Sequence, residues 1–288
     1  MTRVIAVVGP TATGKSDLGV ALAQLLGAEV VNADSMQLYR GMDIGTAKLT
    51  EAERGGVVHH LLDVWEPTQT ASVAAYQVLA RELLTGAPKV FVGGSGLYLR
   101  AALDQLEFPG TDPELRAQLE ADLEEHGPGP LHQRLRELDA EAAARMEPSN
   151  GRRIVRALEV VLLTGAMPGE MTEYEPFVPT TYLGLDREDL AERVNSRVDR
   201  MWDAGLVAEV AGLGPLGVTA ARALGYAQAA RQLSGELTEA EAREQTKAAT
   251  RRFVRRQRSW FRRDPRIHWL DPTQDLIGQA ADVLGRGD

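Results

Sequence analysis

The sequence predicts an α/β protein: a P-loop type parallel sheet flanked by helices, with an inserted helical lobe. Three observations predict it. Short β-branched, apolar runs alternate with segments of helical periodicity, the mark of βαβ units. The first run opens onto a glycine-rich loop with the spacing of a phosphate cradle. After Gly110 the chain turns helical in pattern and rich in Glu, Arg and Ala, as expected of an insertion. The 288 residues suffice for such a core and a lobe. A composition of 44% apolar and 25% charged residues excludes a disordered or fibrous chain.

Val4–Val8 is continuously apolar and ends at Gly9, which suits a strand buried on both faces. Leu18, Ala21, Leu22, Leu25 and Leu26 predict a helix over 16–26. Strands are expected over 29–33, ending at Asp34, and over 59–64, then a helix over 74–84. A buried strand over 89–92 runs into Gly93-Gly94-Ser95-Gly96. Residues 111–163 read as helices broken at Gly127-Pro128-Gly129-Pro130, and 166–180, with Pro168, Gly169, Pro176 and Pro179, as a loop. A strand over 182–185, helices to about Arg263 and a last strand at Ile267–Leu270 complete the core. The expected division is a core of 1–110 and 181–288 around a lobe of 111–180.

Gly9-Pro10-Thr11-Ala12-Thr13-Gly14-Lys15-Ser16 fits GxxxxGKS between a strand and a helix. Gly9 and Gly14 let the backbone wrap an anion, and the amides of Thr11, Ala12 and Thr13 and the helix N-terminus point at phosphate oxygens. Lys15 adds a mobile charge, and the Ser16 hydroxyl suits Mg²⁺. The plainer alternative is a turn that binds nothing. An NTPase also needs a carboxylate at a second strand end, but Val90-Phe91-Val92 leads to Gly93-Gly94-Ser95. Asp63, after His59 and His60, is the substitute on offer.

With no cysteine, disulfides, thiolate zinc sites and cysteine nucleophiles are excluded. His126 and His132 are too isolated for a metal pair. No apolar run is long enough to span a membrane, and the N-terminus lacks the pattern of a signal peptide, so a cytoplasmic protein without membrane contact is expected. A net charge of −9 means that any polyanion must be held by a local basic region. Residues 243–266 supply one, with ten Arg or Lys against two acids. Arg251, Arg255, Arg258 and Arg262 fall at helical spacing as a positive stripe along a phosphate backbone, unless they form only a solvated face.

Asn32-Ala33-Asp34-Ser35-Met36-Gln37-Leu38-Tyr39-Arg40-Gly41-Met42-Asp43-Ile44-Gly45-Thr46-Ala47-Lys48 is unusually polar and specific for a loop after a strand. Together with the P-loop, Gly93-Gly94-Ser95-Gly96-Leu97-Tyr98, Arg156-Ala157-Leu158-Glu159-Val160 and Leu224-Gly225-Tyr226, it closely resembles the tRNA dimethylallyltransferase family over nearly the whole chain. The resemblance implies transfer of a dimethylallyl group from dimethylallyl diphosphate to N6 of adenosine 37, beside the tRNA anticodon. It also implies that the nucleotide-binding type loop holds a diphosphate rather than ATP.

An exocyclic adenine amine is a poor nucleophile, so attack needs proton removal and a stabilised leaving group. Asp34, at a strand's carboxyl end where α/β sheets gather ligands, is placed as general base; its ordinary alternative is a capping carboxylate. By resemblance, Arg222 is a further cation on the diphosphate, although a surface arginine is the default. Ser95, where the family has threonine, donates to the ester oxygen. The adenosine must be turned out of its stack. By resemblance, Asp34, Ser35, Met36 and Gln37 meet it or its vacated space, and Arg152 and Arg153 touch the tRNA; Arg251 and Arg255 of the basic helix join them on the ground of their spacing and charge. Met36 could equally be core. A monomer using Mg²⁺ at Ser16 is expected. The rivals are a P-loop kinase using Asp63, a non-catalytic RNA-binding switch, and prenyl transfer to free adenine nucleotides.

Overall fold

The computed structural model describes residues 2–167 and 173–285. Six strands, β1 (Val4–Val8), β2 (Glu29–Asn32), β3 (His59–His60), β4 (Lys89–Gly93), β5 (Thr180–Leu185) and β6 (Ile267–Leu270), form one sheet in the order β3-β2-β4-β1-β5-β6. Every pairing is parallel, as the alternating pattern requires. The register sets Val8 of β1 beside Gly93 of β4 and Gly184 of β5, and Asn32 of β2 beside Val92. The P-loop, Asp34 and Ser95 therefore leave the sheet at one common edge.

Alternation along β1 sorts the core into two layers. Ile5 and Val7 pack with Leu18 and Leu22 of α1 (Lys15–Leu26) and with Ala280 and Leu284 of the C-terminal helix. Val4, Ala6 and Val8 pack on the other face with Tyr76 of α2 (Val73–Glu82) and Leu99 and Leu103 of α3 (Gly96–Leu103). Each face of the sheet is thereby covered by helices.

The third strand is shorter than its hydropathy suggested. Leu61 and Asp63 lie in the left-handed region, at φ 58° and 56°, which turns the chain out of the ladder after His60. The Leu61 carbonyl then accepts from Asn32 Nδ2 at 2.8 Å. The helix α3 after the Gly93–Gly96 loop and the C-terminal helix Leu276–Gly285 extend beyond the elements expected.

Two compact units divide the chain, one of Met1–Leu106 with Glu175–Asp288 and one of Glu107–Tyr174. The smaller contains α4 (Pro113–His126), α5 (Pro128–Leu138), α6 (Ala140–Ala144) and α7 (Gly151–Thr164). Gly127, at φ 73°, makes the break between α4 and α5. Residues 107–110 go with the helices because Arg156 donates to the carbonyls of Pro109 (2.7 Å) and Gly110 (3.1 Å). Residues 175–180 go with the larger unit, where the Gln105 N–H donates to Glu175 O and the Phe177 N–H to Leu103 O, both at 2.8 Å. Of the expected 166–180 loop, Pro168 and Gly169 lie outside the described residues.

In the smaller unit, Glu159 is fully buried and accepts from the Asp112 amide (3.1 Å), from Arg156 (2.6 Å) and from Arg116. Burial raises its pKa, but the two guanidinium bonds outweigh that and hold the carboxyl below the ordinary range. His132 is buried against the Ala143 carbonyl at 3.1 Å, and His126 is exposed beside Glu125. Of the two, His132 holds a buried structural contact. After β5 come α8 (Leu190–Asp203), α9 (Leu206–Gly212), a 3₁₀ turn at Ala220–Arg222, α10 (Tyr226–Leu233), α11 (Glu239–Phe261) and, after β6, α12 (Leu276–Gly285).

Candidate active site

Gly9 ends β1 at φ 138°, and a Cβ there would sit 2.1 Å from the Leu185 carbonyl oxygen, so only glycine passes this point. Ala12 (φ 66°) and Gly14 (φ 94°) then curl the loop. Thr13 is buried, and its hydroxyl donates to the Pro10 carbonyl at 3.0 Å. Lys15 opens α1 and turns its ammonium onto the same carbonyl at 2.5 Å. Burial and, to a smaller extent, nearby Arg197 lower the Lys15 pKa, Asp34 partly offsets them, and the balance leaves it at about 7, down from 10.5. Thr11, Lys15, Ser16, Asn32, Asp34 and Arg197 are among the residues lining a cleft of about 70 Å³.

Asp34 follows β2 and is fixed by its own neighbours. Asn32 accepts the Asp34 amide through Oδ1 (2.9 Å) and donates through Nδ2 to the Asp34 carbonyl (3.0 Å). Asp34 Oδ1 accepts the Met36 amide at 3.0 Å, a capping contact, while Oδ2 has no hydrogen-bond partner among the described residues. The carboxylate thus serves its turn with one oxygen and offers the other. It lines both the P-loop cleft and a second cavity of about 260 Å³, whose walls include Met36, Val194, Val198, Met201, Leu224 and Phe253. A polar, phosphate-shaped cleft and a largely apolar chamber meet at this side chain.

The other expected residues fall as follows. Ser95 precedes α3 and lines the larger cavity; its Oγ accepts the Ser35 amide at 3.2 Å and donates to Ser35 Oγ at 3.4 Å. Ser35, Met36 and Arg222 line the same cavity, Arg222 as an exposed side chain on the 3₁₀ turn. Gln37 lines the cleft instead, its amide donating to the Thr46 (3.1 Å) and Ala47 (3.4 Å) carbonyls. Arg152 and Arg153 are exposed on the first turn of α7 in the helical unit. Asp63 does not line the cleft. It pairs at 2.6 Å with buried Lys48, which also holds Asp43 (2.6 Å) and the Tyr39 carbonyl (2.9 Å), so the metal carboxylate that a kinase would need is committed to a structural pair.

The basic helix is not the uninterrupted stripe that its spacing suggested. Arg258 and Arg262 pair with Asp186 at 2.8 and 3.1 Å, Arg243 and Lys247 pair with Asp199, and Arg266 binds Asp104. Acids remote in sequence neutralise these cations. Among the described residues Arg251 meets only the neutral amide of Asn195, Arg255 is exposed, and Arg256 reaches the larger cavity over the Phe253 ring.

Three residues of the site carried no motif. Gln257, buried on α11 with Val254 and Phe261, accepts the Thr11 amide at 3.0 Å and donates to the Gly94 carbonyl at 2.9 Å, tying the P-loop to the loop after β4. Arg197 of α8 donates to the Thr11 hydroxyl at 3.0 Å, one turn after Arg193, which donates to the Ala12 carbonyl at 2.8 Å. Glu209 of α9 accepts the amides of Ile44 (2.7 Å) and Asp43 (3.2 Å) and the Tyr226 hydroxyl, anchoring the polar loop. The available signals were a polar residue on an apolar helical stripe for Gln257 and an i, i+4 arginine pair for α8.

Among the described residues no group of three His, Cys, Asp or Glu side chains could hold a metal ion. The cleft offers the Ser16 hydroxyl on the first turn of α1, with the Asp34 carboxylate also in its lining. That suits Mg²⁺, which keeps waters and takes few protein ligands beside substrate phosphates.

A parallel sheet, a P-loop cleft and an adjoining apolar chamber with a carboxylate at their junction define a P-loop group-transfer protein. Residues 37–264 match the family described as IPP transferase. The chain is 62% identical over 284 residues to the tRNA dimethylallyltransferase of Streptomyces coelicolor, covering 93% of this chain and 90% of the relative. It is 59% identical over 302 residues to that of Thermobifida fusca, covering 97% and 93%. The full-length tRNA isopentenylpyrophosphate transferase of Bacillus halodurans superposes with TM-score 0.72 at 38% identity, covering 99% of this chain and 95% of that one. A eukaryotic dimethylallyltransferase acting on tRNA superposes with TM-score 0.80 at 25% identity, covering 100% and 78%. The chain belongs to the IPP transferase family and is an enzyme of the prenyltransferase class.

Proposed function

We propose that the chain transfers the dimethylallyl group of dimethylallyl diphosphate to N6 of adenosine 37 in the anticodon loop of tRNA, releasing diphosphate. The observation that carries this reading is Asp34, one carboxylate oxygen uncommitted, standing where the cleft and the apolar cavity meet. The Asp34 carboxylate takes the proton of N6 as its lone pair forms the bond to C1 of the prenyl group, and the C1–O bond breaks with its electron pair passing to the diphosphate. The P-loop amides from Ala12 to Ser16, Lys15 and Arg222 hold the departing charge, the Thr11 amide being taken by Gln257, and Ser95 donates a hydrogen bond to the ester oxygen. Bound at Ser16, Mg²⁺ would supply further charge neutralisation on the diphosphate. Ser35 and Met36, at the cavity wall, and Gln37, beside it in the loop, receive the extruded adenosine. Arg152 and Arg153 on the helical unit and Arg251 and Arg255 on α11 bind tRNA phosphates.

Labelled dimethylallyl diphosphate incubated with tRNA or AMP, without ATP, tests the reading. Label is expected to move to tRNA, and D34A to lower the turnover by about 10² to 10⁴-fold. Label moving only to AMP would make this a free-nucleotide enzyme. Consumption of added ATP with the label left in place would make it a kinase, a reading that the Asp63–Lys48 pair disfavours.

A further inference from the structure

The Glu209 carboxylate joins two walls of the larger cavity. On one side it accepts the amides of Asp43 (3.2 Å), Ile44 (2.7 Å) and Gly45 (3.4 Å), and Gly45 and Thr46 belong to that cavity's lining. On the other it accepts the Tyr226 hydroxyl, at the end of a segment in which Arg222, Ala223 and Leu224 line the same cavity. Tyr226 is fully buried, and its ring lies flush on Gly45: a Cβ there would stand 2.3 Å from Tyr226 Cε2. Burial and the Glu209 carboxylate both push the Tyr226 pKa up, so the hydroxyl keeps the proton that it donates. The Tyr226 amide donates to the Ala223 carbonyl at 3.2 Å and the Ala223 amide to the Ala220 carbonyl at 3.0 Å, which ties this ring to the 3₁₀ turn. The Arg222 side chain meets no hydrogen-bond acceptor among the described residues, so its guanidinium stands where the backbone of that turn puts it.

On the transferase reading, on which this inference rests, Arg222 is a cation on the departing diphosphate. A guanidinium that no neighbour holds loses its aim when the turn beneath it shifts, and small misplacements at a reacting centre are costly. We infer that Glu209 is a positioning residue for the transfer, acting through Tyr226 to hold the Arg222 turn in register with the loop of Gly45 and Thr46. Glu209 touches no substrate in this role and moves no proton. A carboxylate suits it better than an amide, because all four hydrogen bonds point inward and ask only for acceptors. A glutamine would turn its own NH₂ group against one set of these donors.

A double-mutant cycle tests this assignment. Single-turnover transfer of labelled dimethylallyl group to tRNA is measured for E209Q, Y226F, R222Q and the double variant Y226F/R222Q, with tRNA filter binding and circular dichroism alongside. E209Q and Y226F are each expected to lose on the order of 10- to 100-fold in rate while the Kd for tRNA stays within about threefold of the parent. If both act through Arg222, adding Y226F to R222Q should cost less than about threefold more, whereas a merely structural role would multiply the two losses. Single-variant rates within about threefold of the parent, multiplied losses in the double variant, or a loss that tRNA binding wholly accounts for would each overturn the assignment. If E209Q does not fold, Y226F and its double variant decide. A parent protein that moves no label overturns the transferase reading and this inference together, whereas an active parent with multiplied losses overturns the inference alone.

Discussion

Held in the P-loop with its ammonium on the Pro10 carbonyl, Lys15 has a pKa lowered from 10.5 to about 7 by burial and by Arg197. Between those values the unfolded chain holds a proton that the folded chain releases. Stability therefore rises with pH from about 7 towards 10.5, and the cost of a buried charge is fully present only below that window. A diphosphate in the cleft reverses the balance by favouring the charged form. Binding of inorganic diphosphate should take up a proton above pH 7 and weaken relative to K15M by up to about tenfold per pH unit there. Titration calorimetry in buffers of different ionisation enthalpy reads both quantities, and the absence of proton uptake at pH 8 would refute the shift. The motif announced Lys15 as a phosphate ligand, but its lowered pKa comes from Arg197 and from burial, which no local spacing encodes.

The helix α11 shows how one element serves two purposes. Val254 and Phe261 bury it against the core, and Gln257 on the same side reaches two loops that leave neighbouring strands. Q257A would strand the Thr11 N–H and the Gly94 carbonyl, a loss of about 1 to 3 kcal/mol in stability where both stay dry. Chemical denaturation should find that loss together with weaker diphosphate binding, because Gln257 fixes the first turn of the P-loop whose later amides form the anion cradle. Unchanged binding with reduced stability would confine Gln257 to packing. The hydrophobic pattern located this helix and the strands β1, β4 and β6. It overstated β3, where left-handed residues at Leu61 and Asp63 end the ladder, because backbone conformation at a turn is not a matter of hydropathy.

Across the whole molecule the net charge is −9, and no helix among the described residues is long and apolar enough to cross a membrane. The arginine-rich stretch is partly neutralised by Asp186, Asp199 and Asp104, so a count along the sequence overstates the charge left for a polyanion. If tRNA rests on α11, its affinity should fall steeply with salt, and R255A should lower the slope of log K against log salt by about one. R258A should change the slope little while costing stability, since it leaves Asp186 with a weaker partner. Filter binding between low and moderate salt measures this, and a flat dependence in the parent would remove α11 from the interface.

The order of strands and helices, the phosphate loop and the carboxylate at a strand end were legible in the residues, because hydrophobic periodicity and glycine conformations act over a few neighbours. Which cations remain free, how Asp34 divides its two oxygens, and where Arg197, Gln257 and Glu209 stand depended on segments up to 246 residues apart meeting at one edge of the sheet. Such meetings are set by β-register and helix packing. Electrostatic balance follows distance through space, so only the folded chain could decide it.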